Sequence, residues 1–480
     1  MTNVTLYALV IGLLHVAFLI RAILRPNREP ASRVAWALVI LAAPVAGMIA
    51  YILLGETNVG RGRRLRERKA LALFPPMASS PGLGPSVPPP VIPDRHLALF
   101  ATGRAINGFA PVGGNDVQLL ADSNAAIDAM VADIDQARDH VHISFYIWLA
   151  DTNGLKMVEA LIRARQRGIA CRIIADGLGS RRLIGSEHWR RMAAAGVETV
   201  AALRVGNPLL RALNGRIDIR NHRKIVVIDN RITYCGSQNC ADPEFRIKAR
   251  YAPWVDIMMR FEGPVARQNQ YLFASQWMAS SAGDLTHYLR EPLDPGTPGV
   301  VAQATGTGPT VPFSAMPALF AALIFEARRE LFVTTPYYVP NEMLQAALCA
   351  CARRGVAVTM IFPARNDSRI VAAASRSYYL DLLEAGVTIF EYGAGLLHAK
   401  TMTVDGEVAL IGSANLDRRS FDLNFENNIL ISDEGAATVV RQRQETYLAQ
   451  SRRITREEVQ GWSMPRRLYN NTIAMLSPLL

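Results

Sequence analysis

The chain has 480 residues, half of them apolar and 19% charged, a composition that excludes a disordered segment and leaves room for more than one domain-sized core. A net charge of +11 invites a nucleic-acid reading, but residues 1–70 hold ten Lys/Arg against three Glu, and the other 410 residues carry only +4. A body that close to neutral lacks the phosphate-neutralising footprint of a general DNA or RNA binder, so no nucleic-acid partner is expected. The five cysteines (Cys171, Cys235, Cys240, Cys349 and Cys351) form no CxxC pair and no regular framework, and read as reduced core thiols.

The N-terminal charge flanks two apolar segments. Val4 to Leu24 contains only His15 and Arg21 as residues that carry charge near neutral pH, and Val34 to Leu54 contains none. Each is long enough to cross a hydrocarbon core of about 30 Å as a helix. The start MTNV lacks a basic n-region and a second apolar segment follows the first, so two retained transmembrane helices are expected rather than a cleaved signal peptide. Three arginines lie between the segments, with Arg21 near the end of the first, and six basic residues, Arg61 to Lys69, follow the second; the larger cluster and the reduced thiols place the body in the cytoplasm. Residues 75–93 then hold eight prolines and no charge, the composition of a tether. The predicted organisation is a membrane anchor over 1–70, a linker over 71–93, and two halves over 94–295 and 296–480.

Within the body a set of parts occurs twice. HVHISFYIWL (140–149) reads as a buried strand, followed by a helix through LKMVEALIRARQRG, a strand at IACRIIAD and a helix ending in AAAGV. ELFVTTPYYV (330–339) opens the same series, with a helix through MLQAALCACARRG, a strand at VAVTMIFP and a helix ending in LLEAGV. Alternating strands and helices predict an α/β class with parallel sheets covered by helices, duplicated in tandem.

After the second helix of each copy comes one short pattern. His222, Lys224, Asp229, Gly236, Ser237 and Asn239 are matched by His398, Lys400, Asp405, Gly412, Ser413 and Asn415, every pair 176 residues apart. A lone HxK is ordinarily two unrelated side chains and a lone GSxN a turn, but six identities in constant register at equivalent points of two repeats are not accounted for that way. On an extended chain positions i and i+2 share a face, so each half presents an imidazole beside an ammonium. Packed about a pseudo-twofold axis, two imidazoles, two ammoniums, two hydroxyls and two amides converge on one tetrahedral anion, a phosphoryl-transfer site that needs no metal or other cofactor. One imidazole attacks phosphorus to give a phosphohistidine, and the other protonates the departing alcohol and deprotonates the incoming one.

HxKxxxxD followed by GSxN, present twice, resembles the signature of the phospholipase D superfamily. TTPYYVP, GSANLDRRSFDLNFENN, GSQNCADPEF, WVDIMMRFEGPVA and the N-terminal set of Ala35-Trp36, Pro44, Gly47, Tyr51 and Gly55 resemble bacterial cardiolipin synthases over nearly the whole chain. The resemblance implies two tandem phospholipase D-like α/β/α sandwich domains with pseudo-twofold symmetry, preceded by two transmembrane helices. It implies His222 as nucleophile and His398 as acid, an assignment the symmetric sequence does not make by itself. Lys224, Lys400, Asn239 and Asn415 would hold the phosphate, with Ser237 and Ser413 in support. Asp229 and Asp405 complete the catalytic motifs but would act structurally, away from phosphorus, and Asp256 and Glu426 would orient the histidines.

The implied reaction moves a phosphatidyl group between two phosphatidylglycerol molecules at an anionic phospholipid membrane, the bacterial inner membrane, giving cardiolipin and glycerol. Hydrolysis of phospholipids, or less readily of nucleic acids, through the same intermediate is the alternative, and a noncatalytic scaffold is disfavoured by the intact His and Lys pairs. The motifs do not choose between phosphatidylglycerol, phosphatidylethanolamine or a polyol as acceptor. Both catalytic halves lie in one chain, so no oligomer is required. The first copy departs from the second by an insert, roughly residues 201–216, as Gly196 lies 26 residues before His222 and Gly386 only 12 before His398. Its apolar and arginine-rich composition suggests a lid or lipid-entry element. The tail PRRLYNNTIAMLSPLL combines basic and apolar residues and fits either an interfacial contact or packing on the body.

Overall fold

The computed structural model describes residues 3–76, 90–204, 215–281, 283–292 and 299–477. At the N-terminus one helix, Asn3–Leu24, carries the 20-residue stretch Thr5–Leu24 that is long and apolar enough to cross a membrane. The second apolar segment, expected as one span, is instead a helix over Pro30–Ala42, a break, a helix over Pro44–Ala50 and a wider turn over Tyr51–Gly55. Pro44 supplies the interruption: it has no N–H to donate, and the preceding Ala43 leaves helical geometry at φ −138° and ψ 77°. The pieces fold against the first helix through Trp36, Ile40, Met48 and Tyr51, with the Trp36 and Tyr51 rings edge to face at 5.3 Å. Arg21 closes this hairpin by pairing with Glu56. A helix over Arg61–Leu73 follows, so the basic collar is helical and continues past the expected start of the linker. Residues 77–89 of the linker and 205–214 of the insert fall outside the described residues.

The body is two copies of one sheet. In the first half the strands lie in the spatial order Val112–Leu119, Met258–Glu262, Ile232–Gly236, Ile225–Ile228, His140–Phe145, Ala170–Asp176, Glu198–Ala202. The second half repeats that order as Val300–Thr307, Asn424–Ser432, Val408–Gly412, Thr401–Val404, Glu330–Thr334, Ala357–Pro363, Thr388–Tyr392, with Ser451–Ile454 added at the edge. The first strand of each copy pairs with the other, antiparallel, at Val112↔Ala302 and Asn115↔Val300, which joins the sheets.

The expectation of parallel sheets holds for only part of each half. His140–Phe145, Ala170–Asp176 and Glu198–Ala202 are parallel, linked by crossover helices, but the strand carrying each motif runs antiparallel to its neighbours. The reason is local: Asp229 and Asn230 (φ 52° each), and Asp405 and Gly406 (φ 54° and 74°), turn the chain straight back into the next strand with no room for a helix. Helices cover both faces of each sheet. Apolar contacts on the outer faces form one cluster per half, and a third, shared cluster joins the halves around the helices Val265–Ser280 and Glu434–Leu448. All five cysteines are free and buried.

Candidate active site

Each HxK pair lies in a gap in the ladder, not within a strand. Residues 222–224 separate the two-residue strand Arg220–Asn221 from Ile225–Ile228, and residues 398–400 separate Leu396–Leu397 from Thr401–Val404. The short strands bind the opposite half: Arg220–Asn221 pairs in parallel with Asn424–Phe425, and Leu396–Leu397 with Trp254–Val255. The histidine amides continue that pairing, His222 N–H to the Phe425 carbonyl at 2.9 Å and His398 N–H to the Val255 carbonyl at 2.8 Å.

This crossing decides which carboxylate serves which imidazole. The residue after Phe425 is Glu426, whose carboxylate meets His222 Nδ1 at 2.8 Å; the residue after Val255 is Asp256, which meets His398 Nδ1 at 2.6 Å. Each half therefore orients the histidine of the other and leaves that ring's Nε2 for chemistry. All four groups are buried, and for the histidines burial sets the direction: it pulls the His222 imidazolium down to about 4 despite the attraction of Glu426, and lowers His398 as well. Burial alone would raise the carboxylates, but the paired imidazole, the nearby lysines and a serine hydroxyl reverse the sign, holding Asp256 at about 2 and Glu426 below its usual range.

Ser237 and Ser413 differ from the expected contact with phosphate. Both are fully buried, and their hydroxyls donate to the carboxylates of their own halves, Ser237 to Asp256 at 2.6 Å and Ser413 to Glu426. The lysines stand behind the histidines: Lys224 Nζ donates to the His222 carbonyl at 2.8 Å and Lys400 Nζ to the His398 carbonyl at 2.5 Å. Their burial lowers them to about 8 and about 7. Asp229 and Asp405, included with the catalytic motifs, lie away from the cavity in the turns. Asp229 accepts the backbone N–H groups of Arg138, Asp139 and His140, each at 2.9 Å, and Asp405 those of Arg328, Arg329 and Glu330 at 2.8–3.0 Å, tying each turn to the start of a central strand.

His222, Asn239, His398 and Asn415 line one cavity of about 530 Å³ where the halves meet. The Asn239 carbonyl accepts from the Ile147 amide at 3.2 Å, and the Asn415 amide nitrogen lies 3.3 Å from the Ser420 hydroxyl. Sequence reasoning missed the walls. Tyr146 packs on His222 with ring centres 4.9 Å apart, and Trp254 and Tyr337 flank His398 at 4.6 and 6.4 Å. Arg220, Arg419 and Asp417 also line it, and burial pushes the Asp417 carboxyl up to about 6. Trp254 and Tyr337 fall inside stretches that the resemblance had marked, but no spacing rule points to either. Among the described residues the one three-residue group with metal-ligand geometry is Asp139, His140 and Glu291, at the far end of the strand His140–Phe145 from Tyr146.

Two imidazoles held at Nδ1 by buried carboxylates, backed by two ammoniums and facing one cavity across a pseudo-twofold axis, define a phospholipase D-type enzyme. Comparison with known proteins narrows the class. The family described as cardiolipin synthase, PLD-like domain matches residues 130–251 and 320–447, and the phospholipase D-nuclease N-terminal family matches residues 13–56. The chain is 36% identical over 465 residues to cardiolipin synthase A of Erwinia tasmaniensis and 36% over 479 residues to that of Proteus mirabilis, with 95% of each chain covered. The crystal structure of a phosphatidylserine synthase from Haemophilus influenzae shares the fold with a TM-score of 0.58 at 13% identity, covering 80% of this chain and all of that one. The chain belongs to the bacterial cardiolipin synthase family of the phospholipase D superfamily. The N-terminal match and the apolar helix Asn3–Leu24 support membrane association.

Proposed function

We propose that the protein transfers a phosphatidyl group from one phosphatidylglycerol to the primary hydroxyl of a second, releasing glycerol and forming cardiolipin. The observation that carries the mechanism is the crossed pair of dyads, Glu426 with His222 and Asp256 with His398, on one cavity. His222, neutral because of its burial, attacks phosphorus through Nε2. The bond from phosphorus to the glycerol oxygen breaks, and His398, which must enter this step as the imidazolium with Nδ1–H on the ionised Asp256, gives its Nε2 proton to that oxygen. His398 then takes the proton of the acceptor hydroxyl, whose oxygen displaces Nε2 of His222 and restores the enzyme. Lys224, Lys400, Asn239 and Asn415 offset charge on the nonbridging oxygens. Ser237 and Ser413 act one step back, fixing the carboxylates that fix the imidazoles.

The body lies at the cytoplasmic face of the bacterial inner membrane, with the broken segment Pro30–Gly55 inserted beside Asn3–Leu24 to make a two-pass anchor. The contacts of Trp36, Met48 and Tyr51 with the first helix, and the basic collar suited to anionic headgroups, support that placement.

Incubation of the full chain with phosphatidylglycerol vesicles, followed by mass spectrometry of the products, tests the reading. Cardiolipin with one glycerol per transfer is expected. Phosphatidic acid as the main product would mean that water takes the phosphatidyl group, and would replace the transferase with a hydrolase.

A further inference from the structure

On the other side of the His222–Lys224 segment lies a second cavity, of about 780 Å³, between the collar helix Arg61–Leu73 and the body. The alternation that aims His222 and Lys224 one way sends Arg223 the other way. Arg223 is 5% exposed, its Nε donates to the Glu426 carbonyl at 3.1 Å and its Nη1 to the Leu272 carbonyl at 3.2 Å, and it is one of the residues lining the cavity. Facing it from the collar are Arg64 and Arg68, which have no ion pair among the described residues. Three arginines lining one space, two of them without an ion pair among the described residues, offer a phosphate group its counter-charge.

Two further observations narrow the ligand. Between the arginines stands Glu67, whose Oε1 accepts from the Thr310 hydroxyl at 2.8 Å, while its Oε2 is buried without a partner among the described residues. A buried carboxylate oxygen left unpaired in a cationic cavity calls for a hydroxyl donor on the ligand. The rest of the wall is apolar, with Phe74, Phe109 and Leu272, and Asn27 from the turn between the N-terminal helices also borders the space, on the side of the membrane anchor. Phosphate, hydroxyl and hydrocarbon together describe one ligand class.

We propose that this cavity is a second lipid site, which binds a phosphatidyl-polyol with its phosphate on Arg64, Arg68 and Arg223, a headgroup hydroxyl on Glu67 and an acyl chain along Phe74 and Leu272. The choice of lipid class rests on the phosphatidyl-transfer reading; the existence of the site does not. Through Arg223 the ligand sits one side chain from the backbone of Glu426, the residue that orients His222.

The test counts phosphatidylglycerol retained by full-length His222→Ala protein, which does not turn the lipid over, using native mass spectrometry with phosphatidylcholine as background. Two lipids per chain are expected, falling to one in the Arg64→Ala/Arg68→Ala variant. Val311→Trp, which fills the cavity from the body side, is expected to fall to one as well. Phosphatidylmethanol, which has the phosphate but no headgroup hydroxyl, should bind at the collar at least tenfold more weakly. An unchanged count in both variants overturns the site, equal binding of phosphatidylmethanol overturns the role of Glu67, and displacement by millimolar inorganic phosphate makes it an anion site rather than a lipid site. If the phosphatidyl-transfer reading fails at the catalytic cavity, the parental count drops to one, and that one is still lost in the collar variant.

Discussion

His222 packs against the Tyr146 ring and takes its Nδ1 contact from a glutamate, whereas His398 lies between Trp254 and Tyr337 and takes the same contact from an aspartate. Around them the two halves repeat each other in strand order, turn geometry and the fixed spacing of the motifs. The shorter aspartate suffices where the longer glutamate is used opposite, so the side chain and not the backbone register takes up the difference. A duplicated scaffold thus places two chemically equal groups in unequal surroundings. Under the proposed mechanism, that inequality is where one imidazole would be set apart as nucleophile and the other as acid and base.

The sharpest way to break the comparison is to remove each imidazole in turn. Both His222→Ala and His398→Ala are expected to lose turnover by on the order of 10⁴-fold or more, with only the first losing the covalent intermediate in rapid-quench labelling. Equal labelling of the two variants would show that the halves are interchangeable.

The carboxylates come next. Glu426→Gln and Asp256→Asn each leave the partner imidazole in the wrong tautomer and should cost on the order of a thousandfold in kcat. Because the dyads cross between halves, Glu426→Gln should slow formation of the intermediate with His222, and Asp256→Asn its resolution through His398. Single-turnover kinetics separates the two steps, and the reverse pattern would uncouple each carboxylate from the histidine it touches.

Ser413→Ala and Ser237→Ala remove one hydrogen bond to a buried carboxylate, about 1.5 kcal/mol, so roughly tenfold in kcat is expected with little change in KM. A large rise in KM instead would return the serines to the phosphate.

The lysines make the site sensitive to pH in a defined direction. Burial lowers Lys224 to about 8 and Lys400 to about 7, so both cations are present below about pH 7 and are lost as pH rises through 7 to 8. KM for phosphatidylglycerol should therefore rise across that window, and Lys400→Arg, which keeps its charge, should flatten the rise. A KM constant from pH 6.5 to 9 would contradict the placement of these charges. Smallest for activity is Asp229→Ala, which strips a hairpin turn of three backbone hydrogen bonds. It should lower unfolding stability by about 2–3 kcal/mol in denaturant titration while kcat of the folded fraction stays within about twofold.

Much of the site was legible in the sequence because its residues are local and repeated. The 176-residue offset aligns the motif strands themselves, Ile225–Ile228 with Thr401–Val404 and Ile232–Gly236 with Val408–Gly412. The crossing of the carboxylates was not legible, since it depends on the parallel pairing of two-residue strands across the pseudo-twofold axis. Nor was the position of the serines, whose hydroxyl direction is set by Asp256 and Glu426, 19 and 13 residues further along the chain. Antiparallel motif strands were hidden by the βαβ pattern around them. Pro44 stood in view within the second apolar segment, but composition alone, uniformly apolar on both sides, read across it.

The central claim is that the halves divide the labour between His222 and His398. The most direct test is to quench the His398→Ala protein with acyl-labelled phosphatidylglycerol and locate the adduct by peptide mass spectrometry. A phosphatidyl group on His222 is the predicted result. In the complementary His222→Ala protein no adduct should form, and a phosphatidyl group found on His398 there would contradict the account.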